Sequence, residues 1–93
     1  MFIRWKTKGW DDYAYLEKRI RDKGKVSTKL VAYLGKQPSS KLEAMLRLGQ
    51  ITAKEIAGIS YIIKNDPPDI EDILLENIID RYRKALANSD IHM

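Results

Sequence analysis

Three runs decide the fold: Phe2-Ile3-Arg4-Trp5-Lys6-Thr7-Lys8, Tyr13-Ala14-Tyr15-Leu16-Glu17-Lys18-Arg19-Ile20-Arg21 and Lys25-Val26-Ser27-Thr28-Lys29-Leu30-Val31-Ala32-Tyr33-Leu34. Each alternates with the period of two that a strand imposes, because successive side chains leave opposite faces of a pleated backbone. The first sets Arg4, Lys6 and Lys8 against Ile3 and Trp5, and the second sets Tyr13, Tyr15, Arg19 and Arg21 against Ala14, Leu16, Lys18 and Ile20. The third sets Lys25, Ser27, Lys29 and Tyr33 against Val26, Thr28, Leu30, Ala32 and Leu34. One face then reads as core, with Trp5 and Leu30 in it. The other gathers guanidinium, ammonium and phenol groups, the combination a small sheet needs to hold a phosphate backbone and stack bases.

The turns between the runs have their own chemistry. Gly9-Trp10-Asp11-Asp12 offers a glycine followed by turn-forming acids, and Asp22-Lys23-Gly24-Lys25 is a tight hairpin signal. Trp10, in the first turn, either folds back on the sheet edge or stands exposed for stacking. After Gly35, Pro38 disfavours further strand pairing and the following serines favour a helix start.

From Ser40 the apolar period lengthens to that of a helix. Ser40-Lys41-Leu42-Glu43 fits a capping box opening a helix with the stripe Leu42, Met45, Leu46 and Leu48, ended by Gly49. Thr52-Ala53-Lys54-Glu55 fits a second, and predicts one continuous helix burying Ile56, Ile59, Ile62 and Ile63, with Gly58 as a close-packing point. A helix-turn-helix broken at Gly58 is the weaker alternative, because its second helix, Ser60 to Asn65, holds one cation, Lys64. Asp66-Pro67-Pro68-Asp69 opens a third helix from Pro67 to about Leu86, with Asp69, Glu71 and Asp72 placed against the helix dipole. The expected fold class is α+β, a three-stranded antiparallel sheet (1–36) followed by a unit of three helices (37–93) that packs on the sheet or dimerises it.

The third helix is more apolar than one face requires. Ile70, Ile73, Leu74, Ile78, Tyr82 and Leu86 form a stripe, and Leu75 and Ile79 widen it. This predicts a homodimer interface made of Ile70, Leu74, Leu75, Ile78, Ile79 and Tyr82.

Charge divides along the same line as structure. Residues 1–36 hold ten Lys/Arg against four Asp/Glu, a net of +6, and residues 37–93 hold seven against nine, a net of −2, so the basic charge belongs to the sheet half. That division suits a polyanion-binding surface on a nearly neutral support. A 44% hydrophobic content excludes wholesale disorder. No apolar run approaches the roughly 20 residues of a membrane span. The charged, aromatic start has no signal-peptide apolar segment behind it and cysteine is absent, which together predict a reducing, cytoplasmic setting.

No catalytic constellation emerges. The single histidine, His92, is next to last, Asp11-Asp12 reads as a turn, and Asp66, Asp69, Glu71, Asp72, Glu76 and Asp80 read as helix caps and a solvated face. The glycines are scattered at strand ends and form no phosphate-cradling loop. The expectation is a protein without enzymatic activity, cofactor or metal.

Phe2-Ile3-Arg4-Trp5-Lys6-Thr7-Lys8-Gly9, Tyr13-Ala14-Tyr15-Leu16 and Gly24-Lys25-Val26-Ser27-Thr28-Lys29-Leu30-Val31-Ala32-Tyr33-Leu34-Gly35-Lys36, in that order, resemble the amino-terminal β segment of insertion-sequence transposases and of short stand-alone proteins that share it. The likeness covers about a third of the chain and rests on the order of the three elements and the Tyr-Leu-Gly ending. The catalytic region of those transposases does not fit in 93 residues. What the resemblance implies is DNA association through Arg4, Lys6, Tyr13, Tyr15, Lys25, Lys29 and Tyr33.

The residues thus predict a nucleic-acid-binding protein of little sequence specificity, with DNA favoured over RNA. Arg4, Lys6, Lys8, Arg19, Arg21, Lys25 and Lys29 would contact phosphates; Tyr13, Tyr15, Tyr33 and Trp10 would pack on sugars or bases. The competing reading is a protein-interaction module that uses the apolar carboxy-terminal helix.

Overall fold

A computed structural model describes residues 1–62 and 67–91, with side chains through residue 88. Ile63, Lys64, Asp66 and His92, to which the sequence assigned roles, lie outside the described residues.

The chain is α+β: strands β1 (Phe2–Lys8), β2 (Asp11–Asp22) and β3 (Lys25–Gly35) form an antiparallel sheet in the order β1-β2-β3, followed by α1 (Pro38–Arg47), α2 (Ala53–Ala57) and α3 (Ile70–Ile91). The β2–β3 turn has positive φ at both Lys23 (50°) and Gly24 (80°), as a two-residue type I′ turn requires, and that turn matches the right-handed twist of the strands it joins. The outer edge of β1 is partly closed by the segment after α2. The Ile3 N–H donates to the Ser60 carbonyl (3.2 Å) and the Ser60 N–H to the Met1 carbonyl (3.0 Å).

The three helices pack on one face of the sheet and share a single core with it. Ile3, Ala14, Leu16 and Leu34 from the strands meet Leu42, Met45, Ile51, Ile56, Ile59, Leu75, Ile78 and Ile79, with Trp5 and Ala32 partly buried against them. No helix among the described residues is long and apolar enough to cross a membrane.

Each helix departs from its expected bounds for a local reason. α1 begins at Pro38, two residues before the expected Ser40 capping box, because Pro38 takes the first helical position, where a missing N–H costs nothing. It ends as expected at Gly49: the Gly49 N–H donates to the Leu46 carbonyl (3.1 Å) and the Gln50 N–H to the Met45 carbonyl (2.8 Å), a Schellman closure around a left-handed glycine (φ 73°). The Thr52 capping box forms, Thr52 Oγ1 accepting from the Glu55 N–H and Glu55 Oε1 from the Thr52 N–H, but α2 stops at Ala57. The continuous helix expected there is therefore incorrect. Gly58 is a poor helix residue, and the backbone at Ser60 is captured by the free edge of β1. Ile56 and Ile59 are buried as expected, but Ile62 is exposed.

α3 begins at Ile70 rather than at Pro67. Asp69 and Asp72 cap it reciprocally, the Asp72 N–H donating to Asp69 Oδ1 (3.0 Å) and the Asp69 N–H to Asp72 Oδ2 (3.2 Å). Leu75, Ile78 and Ile79 face α1, α2 and the sheet and are buried within the chain, so three residues of the expected dimer interface are already covered. The uncovered apolar surface of α3 is instead Ile70, Ile73 and Leu74. The helix is rotated from the expectation because Asp72, a 1% exposed carboxylate, points inward to accept from the Tyr61 hydroxyl.

Side-chain ties bind the helices to one another. Ser39 Oγ donates to Glu71 Oε2 (2.7 Å), joining the starts of α1 and α3. Arg83 donates from Nε to the Ala57 carbonyl (2.8 Å) and from Nη2 to the Ile59 carbonyl (2.6 Å), satisfying carbonyls that the short α2 leaves open.

Candidate nucleic-acid interface

The sheet face turned away from the helices is built in cross-strand rows. Lys8 pairs with Asp11, Lys6 with Tyr13, Arg4 with Tyr15 and Phe2 with Glu17; Tyr15 pairs in turn with Tyr33, Glu17 with Leu30, Arg19 with Thr28 and Arg21 with Val26. Residues directly opposite share a face. Arg4, Lys6, Lys8, Tyr13, Tyr15, Arg19, Arg21 and Tyr33 are thus brought to one surface, as their spacing requires.

Lys25 and Lys29 are not on it. β3 carries two irregularities, one between the Tyr15–Tyr33 and Ala14–Gly35 pairs and one between Leu16–Ala32 and Glu17–Leu30, and the second leaves Val31 without an opposite number. An extra residue reverses the alternation beyond it. Lys29 therefore pairs with Lys18, Ser27 with Ile20 and Lys25 with Asp22 on the opposite face, while Val26, Thr28 and Leu30 join the tyrosine face. Leu30 is 53% exposed, so its expected place in the core is also incorrect. β1 pairs no further along β2 than Glu17, and beyond that point the β2–β3 hairpin projects as a two-stranded ribbon, exposed on both faces except for the half-buried Ile20.

At the centre of the tyrosine face the rings touch. Tyr13 and Tyr33 stack with centroids 6.3 Å apart and planes 29° apart, and Tyr15 meets Tyr33 at 5.1 Å and 59°. Tyr33 is the outermost of the three. Partial desolvation among its neighbours, with Tyr15 and Tyr13 adding to it, pushes its hydroxyl pKa above the ordinary tyrosine value.

Cations rim the rings. Lys6 Nζ lies 4.7 Å from the Tyr15 centroid and Lys36 Nζ 5.9 Å from that of Tyr13; the Arg4 and Arg19 guanidinium carbons lie 5.8 and 5.6 Å from the Phe2 centroid. Lys36 also pairs with Asp11 at 2.9 Å, and that hydrogen bond raises its pKa above the ordinary lysine value. Beside Arg4, Glu17 is buried and forms an ion pair with it, Oε2 lying 2.9 Å from Arg4 Nε.

Phe2, Glu17 and Lys36 are parts of this surface that sequence reasoning did not single out. Phe2 and Glu17 share the parity of Arg4 and Tyr15, which was signal enough. Lys36 follows the strand end, and only the fold brings it to Tyr13. Trp10 stands fully exposed at the tip of the β1–β2 turn and does not fold back on the sheet edge. Among the described residues no group of three or more histidine or acidic side chains is placed to hold a metal ion. No family model, curated protein or solved structure matches the chain.

Proposed function

We propose that the protein binds nucleic acid through the sheet face away from its helices, with DNA the favoured ligand and little discrimination among sequences, and that it acts without catalysis. The observation that carries this reading is the contact cluster of Tyr13, Tyr15 and Tyr33 on that face, with Lys6 and Lys36 against its rings and Arg4 and Arg19 against the Phe2 ring of the same face. Ring faces accept any base, and the surrounding cations bind the backbone by releasing its counterions. Phosphate contacts of this kind position a strand without reading it. The resemblance to the amino-terminal segment of insertion-sequence transposases supports DNA over RNA.

The test is a fluorescence anisotropy titration against single-stranded DNA, duplex DNA and RNA at two salt concentrations. The reading expects a log–log salt slope for the duplex of about −0.9 per phosphate, with about 4 to 6 phosphates engaged. A slope near zero removes it.

A second reading, a protein-interaction or assembly module, is favoured by the exposed side chains Ile70, Ile73 and Leu74 on α3. Retention on a polyanion column separates the two. A binding protein elutes later than an equally basic control, and an interaction module elutes with it.

A further inference from the structure

The β2–β3 ribbon beyond Glu17 has a charge distribution that a one-sided sheet surface does not explain. Residues 18–29 hold six cations and one carboxylate. Arg19 and Arg21 lie on the tyrosine face with Thr28 and Val26; Lys18, Lys25 and Lys29 lie on the other. A single strand laid across the tyrosines meets only the first set. Lys18 and Lys29 are moreover direct cross-strand partners, an arrangement that costs stability because like charges stand opposite one another. Two ammonium groups, one on each strand, suit two separate phosphate backbones, one on each side of the ribbon.

We propose that this ribbon enters the major groove of duplex DNA; the inference rests on the nucleic-acid reading above and names the ligand of its most basic part. The arginine face turns toward the base edges, and Lys18 and Lys29 reach outward to the phosphates of the two walls. The dimensions agree, since two strands lie about 4.8 Å apart and the B-form major groove, about 12 Å wide and 8.5 Å deep, admits a two-stranded ribbon. The chemistry of the leading face agrees too. The ribbon adds a limited base preference to the largely unselective binding proposed above, since arginine pairs with the O6 and N7 acceptors of guanine and the methyl groups of Thr28 and Val26 suit thymine methyls. The small side chains of Ser27, Thr28, Val26 and Gly24 keep the ribbon thin, and the type I′ turn at Lys23-Gly24 keeps it in register. The deep, narrow major groove of A-form RNA does not admit it.

The test compares the full chain with Lys18→Ala/Lys29→Ala and with Tyr33→Ala. Binding is measured against a short DNA duplex, an RNA duplex of the same sequence and one of the DNA strands alone, at several salt concentrations. The lysine pair lies far from the core, and a thermal melt at or above that of the wild type verifies that its variant folds. The expected result is an affinity for duplex DNA about 10-fold lower with a salt slope reduced by about 2, little change with the RNA duplex or the single strand, and the reverse pattern for Tyr33→Ala. Equal losses on single-stranded and duplex DNA, or on duplex RNA and duplex DNA, overturn the groove assignment, as does a wild type that binds single strands alone; the tyrosine-face reading survives each of these. A wild type that binds none of the three overturns both.

Discussion

Arg19 stands directly opposite Thr28, so its guanidinium shares a face with Thr28, and Lys29 is carried to the other side of the ribbon. That pairing follows from the irregularity at Val31, and it separates two groups of cations that would otherwise form one patch. The arginine and lysine sets are thereby separable by mutation.

The same register makes a stability prediction. Leu30→Ala and Lys29→Ala are both expected to change unfolding free energy by no more than about 0.5 kcal/mol, because both side chains are exposed. Leu16→Ala, at a position with no exposure, is expected to cost about 2–5 kcal/mol. Denaturant unfolding of the three variants checks this, and a large loss for Leu30→Ala would return that residue to the core.

Stacking on the tyrosine cluster predicts that Tyr33→Ala weakens binding to single-stranded DNA by about 1–3 kcal/mol while Tyr33→Phe retains most of the affinity. The comparison isolates the ring from the hydroxyl. Equal losses in the two variants, read by titration, would make the hydroxyl's hydrogen bond the operative contact.

Burial of Leu75 and Ile79 sets the consequence of charging α3. Leu75→Glu or Ile79→Glu is expected to abolish folding, since an unpaired carboxylate would enter the core. Ile73→Glu/Leu74→Glu, on the exposed side, is expected to leave a folded chain. Sedimentation of that double variant beside the wild type then measures self-association. A wild-type dimer that becomes monomeric would place the interface on Ile73 and Leu74, and a wild-type monomer would rule out a dimer there.

Tyr61 links α3 to high pH. Burial pushes its phenol well above the usual tyrosine range, and the hydrogen bond to Asp72 adds to the shift. A group whose pKa is raised by folding contributes stability that is complete below the unfolded value, about 10 for tyrosine, and is lost as pH rises toward the folded one. Stability is therefore expected to be unaffected by this group from neutrality to about pH 9 and to fall above about pH 10. Tyr61→Phe should remove that alkaline dependence and cost about 1–3 kcal/mol at neutral pH by depriving buried Asp72 of a donor. Melting temperatures recorded across the alkaline range for both proteins decide the point.

Local chemistry was legible residue by residue. The period of two in Phe2–Lys8 and Tyr13–Arg21, the Lys23-Gly24 turn, the Thr52 capping box and the glycine stop at Gly49 all depend on neighbours a few positions away, and each formed where its residues stand. So did the gathering of Arg4, Lys6, Tyr13, Tyr15 and Arg19 on one face, since the alternation runs unbroken along both β1 and β2. The side of the ribbon to which Lys25 and Lys29 belong depended on a partner strand instead. An extra residue at Val31 is visible only when Leu30 and Ala32 are set against Glu17 and Leu16. The length of α2 likewise depended on β1, whose free edge draws Ser60 into a bridge and ends a helix that apolar spacing alone would have continued. The rotation of α3 depended on Tyr61 and Arg83, which fix it against α2 through bonds spanning 11 to 26 residues. Spacing along a chain specifies which side chains share a face, whereas which face is covered is settled by the packing of distant elements, and that was the part that only the tertiary structure decided.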